Sequence, residues 1–125
     1  MTVLNDVQLA LERYIEATNL HDFSAVKFCL HPDAVYWFSD QSCETLPEIQ
    51  DYFERAWQKV LNEVYWISDL QWLACDSHSA ICIYHFHYEG YVDKQYVQGG
   101  GRATNVFVLE QGQWLLKHEH LSPHP

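Results

Sequence analysis

The feature that most constrains the fold is a pair of long strand patterns near the end of the chain. Residues 102–110 and 113–121 are rich in apolar and β-branched side chains, and Gln111-Gly112 lies between them. Two such runs separated by a glycine-containing turn predict a β-hairpin. The architecture therefore has to accommodate at least two long antiparallel strands.

The register of this hairpin decides which polar side chains share a surface. A two-residue turn would place Asn105 opposite His118, with His120 on the same face, and would put Arg102 and Glu119 together on the other face. A bulge at the turn would exchange the two faces. Both faces carry many apolar residues, so both have to be covered. Helices can cover only one, and we expect a homodimer in which a second copy covers the other sheet face.

The tripeptide His118-Glu119-His120 places three polar side chains in a strand that otherwise appears buried. Such side chains are costly unless they are hydrogen-bonded or used. Histidine titrates near neutral pH, so His118 and His120 are candidates for general acid/base catalysis. The alternative is that they bond neighbouring strands or lie in the dimer interface.

The rest of the chain predicts three helices and three further strands. Apolar residues recur at helical spacing over residues 3–19, Asp22 can cap a second helix over 23–30, and Thr45 with Glu48 forms the capping box of a third. Strands are predicted at 34–38, 64–74, 78–89, 102–110 and 113–121. This order is of the α+β class, with a curved antiparallel or mixed sheet wrapped by N-terminal helices in one domain of residues 1–125.

Composition excludes several classes of partner. The chain has 17 acidic and 7 basic residues, a net charge of −10, which argues against nucleic acid and anionic membranes. It has no uninterrupted apolar run long enough for a transmembrane helix and no signal-peptide pattern. Four scattered cysteines without a paired motif indicate a reducing, cytoplasmic setting.

Aromatic residues make up 15% of the chain, enough to line a cavity for a small apolar or aromatic molecule. The alternative for any one of them is ordinary core packing. The candidate ligand-binding residues are Tyr36, Trp37, Phe38, Trp66, Tyr84, Phe86, Tyr88, Arg102 and Asn105.

Arg102 follows three consecutive glycines, Gly99 to Gly101. This run lacks the strand and helix context of a phosphate-binding loop, and it predicts a bulge or a flexible entry into the strand. Arg102 could pair with Glu119 across the sheet or with an acidic group of a partner.

The pairs His85-x-His87 and His118-x-His120 raise the possibility of a metal site. In the predicted meander their strands flank a third one, about 10 Å apart at twice the strand spacing. Zinc–nitrogen bonds of about 2.0–2.1 Å cannot cross that gap. We therefore predict no metal and no other cofactor.

The residues of the terminal hairpin carry a resemblance to a known family. The segments Gly101-Arg102-Ala103-Thr104-Asn105-Val106 and Trp114-x-x-x-His118-Glu119-His120-Leu121-Ser122, in this order of elements, resemble the nuclear transport factor 2-like superfamily and within it the SnoaL-like domains. The resemblance implies a cone-shaped, cystatin-like fold, in which three helices and a bent sheet enclose an apolar pocket, usually in a dimer.

Two branches of that superfamily bear on the chemistry. By resemblance to the ketosteroid isomerases, Tyr14 falls on the tyrosine that stabilises an oxyanion, whereas Phe38 falls near the general base and cannot take a proton. By resemblance to kinase association domains, Phe86, Asn105 and Leu121 fall on pocket arginines. This chain therefore lacks both the base of the first branch and the cations of the second.

Two functions are compatible with these features. The first is cofactor-independent acid/base chemistry of dehydratase, isomerase or cyclase type on a small molecule, with His118 or His120 as proton carrier and Tyr14 and Asn105 orienting the substrate. The second is a non-catalytic dimeric module for ligand sensing or assembly.

Overall fold

The computed structural model of the protein describes residues 2–125, and its helices begin at side-chain caps. The Thr2 hydroxyl accepts a hydrogen bond from the Asn5 amide (3.1 Å), and Thr45 accepts one from the Glu48 amide (3.4 Å) as predicted. The helices are α1 (Val3–Thr18), α2 (Phe23–Lys27) and α3 (Leu46–Lys59). Within residues 2–125, none of them is both long and apolar enough to cross a membrane.

Six strands form one mixed sheet in the order β2-β1-β6-β5-β4-β3. Strand β1 runs parallel to β6, and all the other neighbouring pairs are antiparallel. The strands are β1 (Leu30–Trp37), β2 (Ser42–Cys43), β3 (Leu61–Cys75), β4 (Ser79–Val92), β5 (Gln95–Glu110) and β6 (Gln113–Pro123). The α+β class and the mixed sheet are confirmed, and β2 is an addition too short for a sequence pattern.

The predicted register of the hairpin is wrong over most of its length. From Glu110 to Phe107 the pairing follows a two-residue turn, with Phe107 opposite Leu116. The next pair is Val106 with His118, so Lys117 is an extra residue on β6, a β-bulge. Side-chain parity inverts beyond this point because strand side chains alternate between faces.

The inversion changes which residues share a face. Asn105 pairs with Glu119, and His120 pairs with Thr104. The buried residues Asn105 and Glu119 lie on the face covered by the helices, hereafter the inner face. His118 and His120 lie on the opposite, outer face beside Val106 and Thr104, so the expectation that they share a surface with Asn105 is overturned.

The core lies between the helices and the inner face. Its largest fully buried apolar side chains come from both layers: Val7, Leu11, Tyr14, Val26, Tyr36, Ile49, Phe107 and Leu116. No helix covers the outer face, where Trp37, Val64 and Trp66 keep 48%, 49% and 39% of their surface exposed.

The three consecutive glycines lie inside β5 and not at a bulge or a flexible entry. Gly99, Gly100 and Gly101 pair in regular register with Tyr88, His87 and Phe86 of β4. A Cβ atom added at Gly101 would overlap the Ser122 carbonyl oxygen, whereas one at Gly99 would meet the Tyr88 hydroxyl at 2.5 Å. These glycines allow close approach of neighbouring backbone and side chains.

We predict that Gly101→Ala destabilises the fold by about 2 kcal/mol or more and that Gly99→Ala destabilises it by less. The new methyl group at Gly101 would meet backbone, which cannot move aside, whereas the one at Gly99 would meet the end of a side chain, which can. Urea unfolding of both variants measures the difference. Equal losses in the two variants would contradict the steric explanation.

Candidate functional site

A cavity of about 430 Å³ lies between α1, α3 and the inner face of the sheet. Eight of its lining residues are aromatic: Tyr14, Phe38, Tyr52, Phe53, Trp57, Tyr65, Phe86 and Tyr88. The remaining lining residues are Thr18, Ser39, Asp40, Ala56, Glu63, Gly100, Glu119, Leu121 and Pro123. The cavity is therefore apolar with a few carboxyl groups, the usual composition of a small-molecule site.

Glu119 is the most deeply buried of these carboxyl groups, with 2% of its surface exposed. Strand β6 carries it into the cavity because the bulge at Lys117 turns it inward. The Tyr14 hydroxyl of α1 donates to its Oε2 atom (3.2 Å), and the Tyr84 hydroxyl of β4 lies 3.3 Å from Oε1. The carboxyl group thus ties three elements together.

Asn105 completes the surroundings of Glu119. The side-chain orientation that satisfies both amide atoms directs Nδ2 to Glu119 Oε1 and to the Thr104 carbonyl oxygen, each at 3.1 Å. In that orientation Oδ1 accepts from the Tyr84 hydroxyl at 2.9 Å. Asn105 is fully buried, so its amide leaves no polar atom unpaired.

A chain of hydroxyl groups extends the cluster to β1. The Tyr36 hydroxyl donates to the Tyr14 hydroxyl (2.8 Å), which donates to Glu119. Parallel pairing of β1 with β6 sets Tyr36 beside Glu119 in register. The arrangement is a connected path along which a proton can be held or passed.

Burial raises the pKa of Glu119 to about 7, against a smaller opposing effect of the neighbouring polar groups of Tyr14, Tyr84 and Asn105. The pKa values of Tyr14 and Tyr84 lie well above their ordinary value because both hydroxyls are buried near that carboxyl group. At neutral pH the two tyrosines are therefore hydrogen-bond donors, and Glu119 exists in both protonation states. A group poised in this way can accept and return a proton.

Glu63, at the start of β3, is a second carboxyl group in the same cavity. Burial alone raises the pKa of Glu63 to about 7. The ring nitrogen Nε2 of His21 lies 3.0 Å from the Glu63 backbone carbonyl, and the His21 ring stacks on Trp57 (5.4 Å between centroids). Glu63 thus lies in a partly enclosed edge of the cavity.

The structure separates the predicted site residues into three groups. Tyr14, Phe38, Phe86 and Tyr88 line the cavity. Tyr36, Tyr84 and Asn105 are buried in the cluster around Glu119. Trp37, Trp66, Arg102, His118 and His120 lie on the outer face.

The outer-face histidines make their own contacts. The Nδ1 atom of His118 lies 2.7 Å from the Val35 carbonyl oxygen, so Nδ1 carries a hydrogen and donates a hydrogen bond to that oxygen. The rings of His118 and His120 both meet the Trp37 ring edge-on. Within residues 2–125, no group of three or more His, Cys, Asp or Glu residues is arranged to hold a metal ion.

Arg102 is exposed on the outer face, opposite Ser122, so it cannot pair with Glu119 on the inner face. The expected pairing of Arg102 with Glu119 is wrong because the bulge at Lys117 places the two side chains on opposite faces of the sheet.

Sequence reasoning missed three important features of the cavity. Glu119 appeared in the motif but was assigned to the wrong face. Glu63 and Tyr65 lie on the inner face of β3, where alternation could have grouped them with one surface, and Trp57 lies on α3. No local pattern marks which of these line a cavity and which fill the core.

The fold and the cavity define a nuclear transport factor 2-like α+β domain, and comparisons with known proteins specify the family. The SnoaL-like domain profile matches residues 11–116. The chain therefore belongs to the SnoaL-like family. No curated protein matches the chain.

Solved structures of low identity share the fold. A nuclear transport factor 2-like superfamily protein from Salmonella enterica has 14% identity and a TM-score of 0.88, and the match covers 98% of this chain and 92% of the Salmonella chain. A suggested dehydratase of that family from Streptomyces avermitilis has 15% identity and a TM-score of 0.83, covering 96% and 95%. A suggested calcium/calmodulin-dependent protein kinase II association domain from Xanthomonas campestris has 20% identity and a TM-score of 0.84, covering 95% and 86%.

The raised pKa of Glu119 makes a prediction for the pH dependence of stability. The native carboxyl group, with a pKa of about 7, holds its proton at pH values where the unfolded one, near 4.5, has lost it. The stabilisation of the folded state by this raised pKa is therefore fully present below about pH 4.5 and is lost as pH rises through about 7. The raised pKa of Glu63 also makes the free energy of unfolding fall over this pH range.

We predict that the free energy of unfolding falls between about pH 5 and pH 7, and that Glu119→Gln reduces this slope by up to about 1.4 kcal/mol per pH unit, the value for one proton. Urea titrations at a series of pH values measure the slope. Glu16→Gln, at an exposed position of α1, is the control for loss of one carboxylate. A Glu119→Gln slope equal to that of the wild type would contradict the assignment.

Proposed function

We propose that this protein binds a small apolar or aromatic molecule in the cavity and performs cofactor-independent acid/base chemistry on it, with Glu119 as the proton carrier. The observation that carries the proposal is the position of the Glu119 carboxyl group, which is buried, borders the cavity and has a pKa of about 7. A base of this kind is matched to proton transfer at neutral pH.

The proposed reaction is a dehydration or an isomerisation. In a dehydration, the Glu119 carboxylate takes a proton from a carbon atom, the electrons of that C–H bond form the double bond, and the neighbouring C–O bond breaks. The departing hydroxide takes a proton, supplied by the protonated Glu119 or by solvent, and leaves as water. An isomerisation would return the same proton to another carbon.

Tyr14 has the role of positioning and stabilising charge. Its hydroxyl lines the cavity and already donates to Glu119 at 3.2 Å, and its raised pKa keeps it protonated. A small rotation would let it donate to a substrate oxygen on which negative charge develops. Tyr36, which donates to Tyr14 at 2.8 Å, orients that hydroxyl.

The proposal transfers the role of proton carrier from the histidines of the terminal motif to the glutamate between them. His118 and His120 lie on the outer face, and neither is among the residues that line the cavity. The likeness in fold to a suggested dehydratase from Streptomyces avermitilis supports the reaction class.

A generic probe tests whether Glu119 is an active base. 5-Nitrobenzisoxazole is flat and aromatic, and a single base opens its ring by removing one carbon-bound proton to give a coloured phenolate. We predict that the wild type accelerates this reaction, that kcat/KM rises with pH to a plateau above about 7, and that Glu119→Gln lowers kcat/KM by about a hundredfold or more.

Two variants sharpen that measurement. Tyr14→Phe removes a hydrogen bond that lowers the pKa of Glu119, so it should move the midpoint of the pH profile upward. Glu16→Gln on the exposed face of α1 should leave the rate unchanged. A wild-type rate no higher than that of Glu119→Gln would refute Glu119 as a base.

We also propose that the protein is a homodimer through the outer face of the sheet. That face exposes apolar side chains, including Trp37, Val64 and Trp66, which no helix covers. Most of the 17 acidic residues lie in helices and loops, so two chains of net charge −10 can approach through this face with less repulsion than elsewhere.

Light scattering at micromolar concentration should give twice the mass of the chain. Ile83→Glu, near the middle of the outer face opposite Thr104, should give the monomer because it would bury a charge in the interface. Leu20→Glu, at a site 68% exposed after α1, is the matched control and should remain dimeric. A monomeric wild type would rule out this assembly.

A further inference from the structure

The cavity has a charge composition that restricts its ligand. Three carboxyl groups line it, those of Asp40, Glu63 and Glu119, together with eight aromatic rings. In the part of the chain that the structure describes, residues 2–125, no lysine, arginine or histidine is among the lining residues. Aromatic faces and ionised carboxylates both carry negative electrostatic potential, so the charged groups and ring faces of the lining favour a cation over an anion.

We infer that the ligand of this cavity is an organic cation, namely a small amine with an aromatic or apolar body whose ammonium group lies beside Glu63. The inference rests on the proposed function in one respect, because it takes the cavity to be the ligand site. It adds the charge of the ligand, which acid/base chemistry alone does not specify.

Among the carboxyl groups, Glu63 is the one that lacks compensation. Glu119 receives hydrogen bonds from Tyr14 and Asn105, and Asp40 accepts one from the Tyr52 hydroxyl at 2.7 Å. For Glu63, burial raises the pKa and no donor or cation lowers it. An ammonium group beside this carboxylate would supply the missing counter-charge.

The aromatic walls are suited to the same charge. The rings of Phe38 and Tyr52 stack on each other at 3.5 Å between centroids, and Trp57 stacks with His21 near Glu63, so each of these rings has at most its other face available to a ligand. A cation over the face of an aromatic ring is attracted by the negative potential of that face, most strongly where water is excluded. The aromatic body of the ligand fills the remaining apolar volume.

Charged groups near the cavity do not reverse this preference. The Arg55 guanidinium lies 5.7 Å from the centre of the Tyr52 ring but is bonded to Asp51 at 2.8 Å on the exposed side of α3. His21 contacts the backbone carbonyl of Glu63 and not its carboxyl group. An anionic ligand would thus face three carboxyl groups with no cation lining the cavity.

Three indole compounds of nearly equal shape distinguish the effect of ligand charge on binding from the effect of ligand shape. Tryptamine is a cation at neutral pH, tryptophol is its neutral alcohol, and indole-3-acetate is an anion. In isothermal titration calorimetry with the full chain at pH about 7, we expect tryptamine to bind at least about tenfold more tightly than tryptophol, and indole-3-acetate to give no measurable binding.

Two variants locate the ammonium group. In Glu63→Gln the affinity for tryptamine should fall to within about threefold of the affinity for tryptophol, because the substitution removes the counter-charge and keeps the shape of the side chain. Glu16→Gln, an exposed carboxylate on α1, should keep the wild-type preference. A Glu63→Gln variant with the wild-type preference would overturn the assignment to Glu63.

A second measurement needs no variant. At pH about 7 part of Glu63 is protonated, so a bound ammonium group should displace a proton from it, whereas a neutral ligand should not. Calorimetry of the wild type in buffers of different ionisation enthalpy counts that proton. We expect release of up to about half a proton with tryptamine and none with tryptophol.

The outcomes separate this inference from the proposed function. Tryptamine that binds no more tightly than tryptophol, or binds without proton release, overturns the organic-cation assignment. The ring-opening rate of 5-nitrobenzisoxazole and its dependence on Glu119 are independent of these results, because that probe is uncharged. Loss of that rate with retained tryptamine preference would instead refute the acid/base function.

Discussion

One β-bulge determines which side chains of β6 face the cavity. The extra residue at Lys117 lies between a stretch of β6 that packs Leu116 into the core and a stretch that turns Glu119 to the same side. Without it, regular alternation would turn His118 inward and Glu119 outward. Bulges are frequent next to functional sites for this reason, since they redirect a side chain while keeping the strand paired.

The buried carboxyl group is sustained by donors that come from distant parts of the chain. Tyr14 of α1 and Asn105 of β5 donate hydrogen bonds to Glu119, and Tyr84 of β4 donates to the Asn105 amide oxygen and so holds that amide in place. Burying a carboxylate without partners would be strongly destabilising. The donors reduce that cost without removing it, which leaves the Glu119 carboxyl group with a pKa of about 7.

Much of the fold could be predicted from the sequence because its signals are local. The spacing of Val7, Leu11 and Tyr14 marks α1, and Thr45 with Glu48 marks the start of α3. The site could not be predicted in the same way. A bulge leaves no composition signal, and the placement of Glu63 beside the cavity depends on how β3 packs against the helices, which no short-range pattern encodes.

The parallel pairing of β1 with β6 has a consequence for how the site comes into being. It joins Tyr36 to Glu119 across most of the length of the chain, and contacts of such sequence separation slow folding because a long loop has to close before they form. A nascent or partly folded chain in which β6 has not docked has neither the poised carboxyl group nor a closed cavity. The cluster around Glu119 and the part of the cavity wall that β6 supplies are therefore complete only when β6 is paired with both β1 and β5.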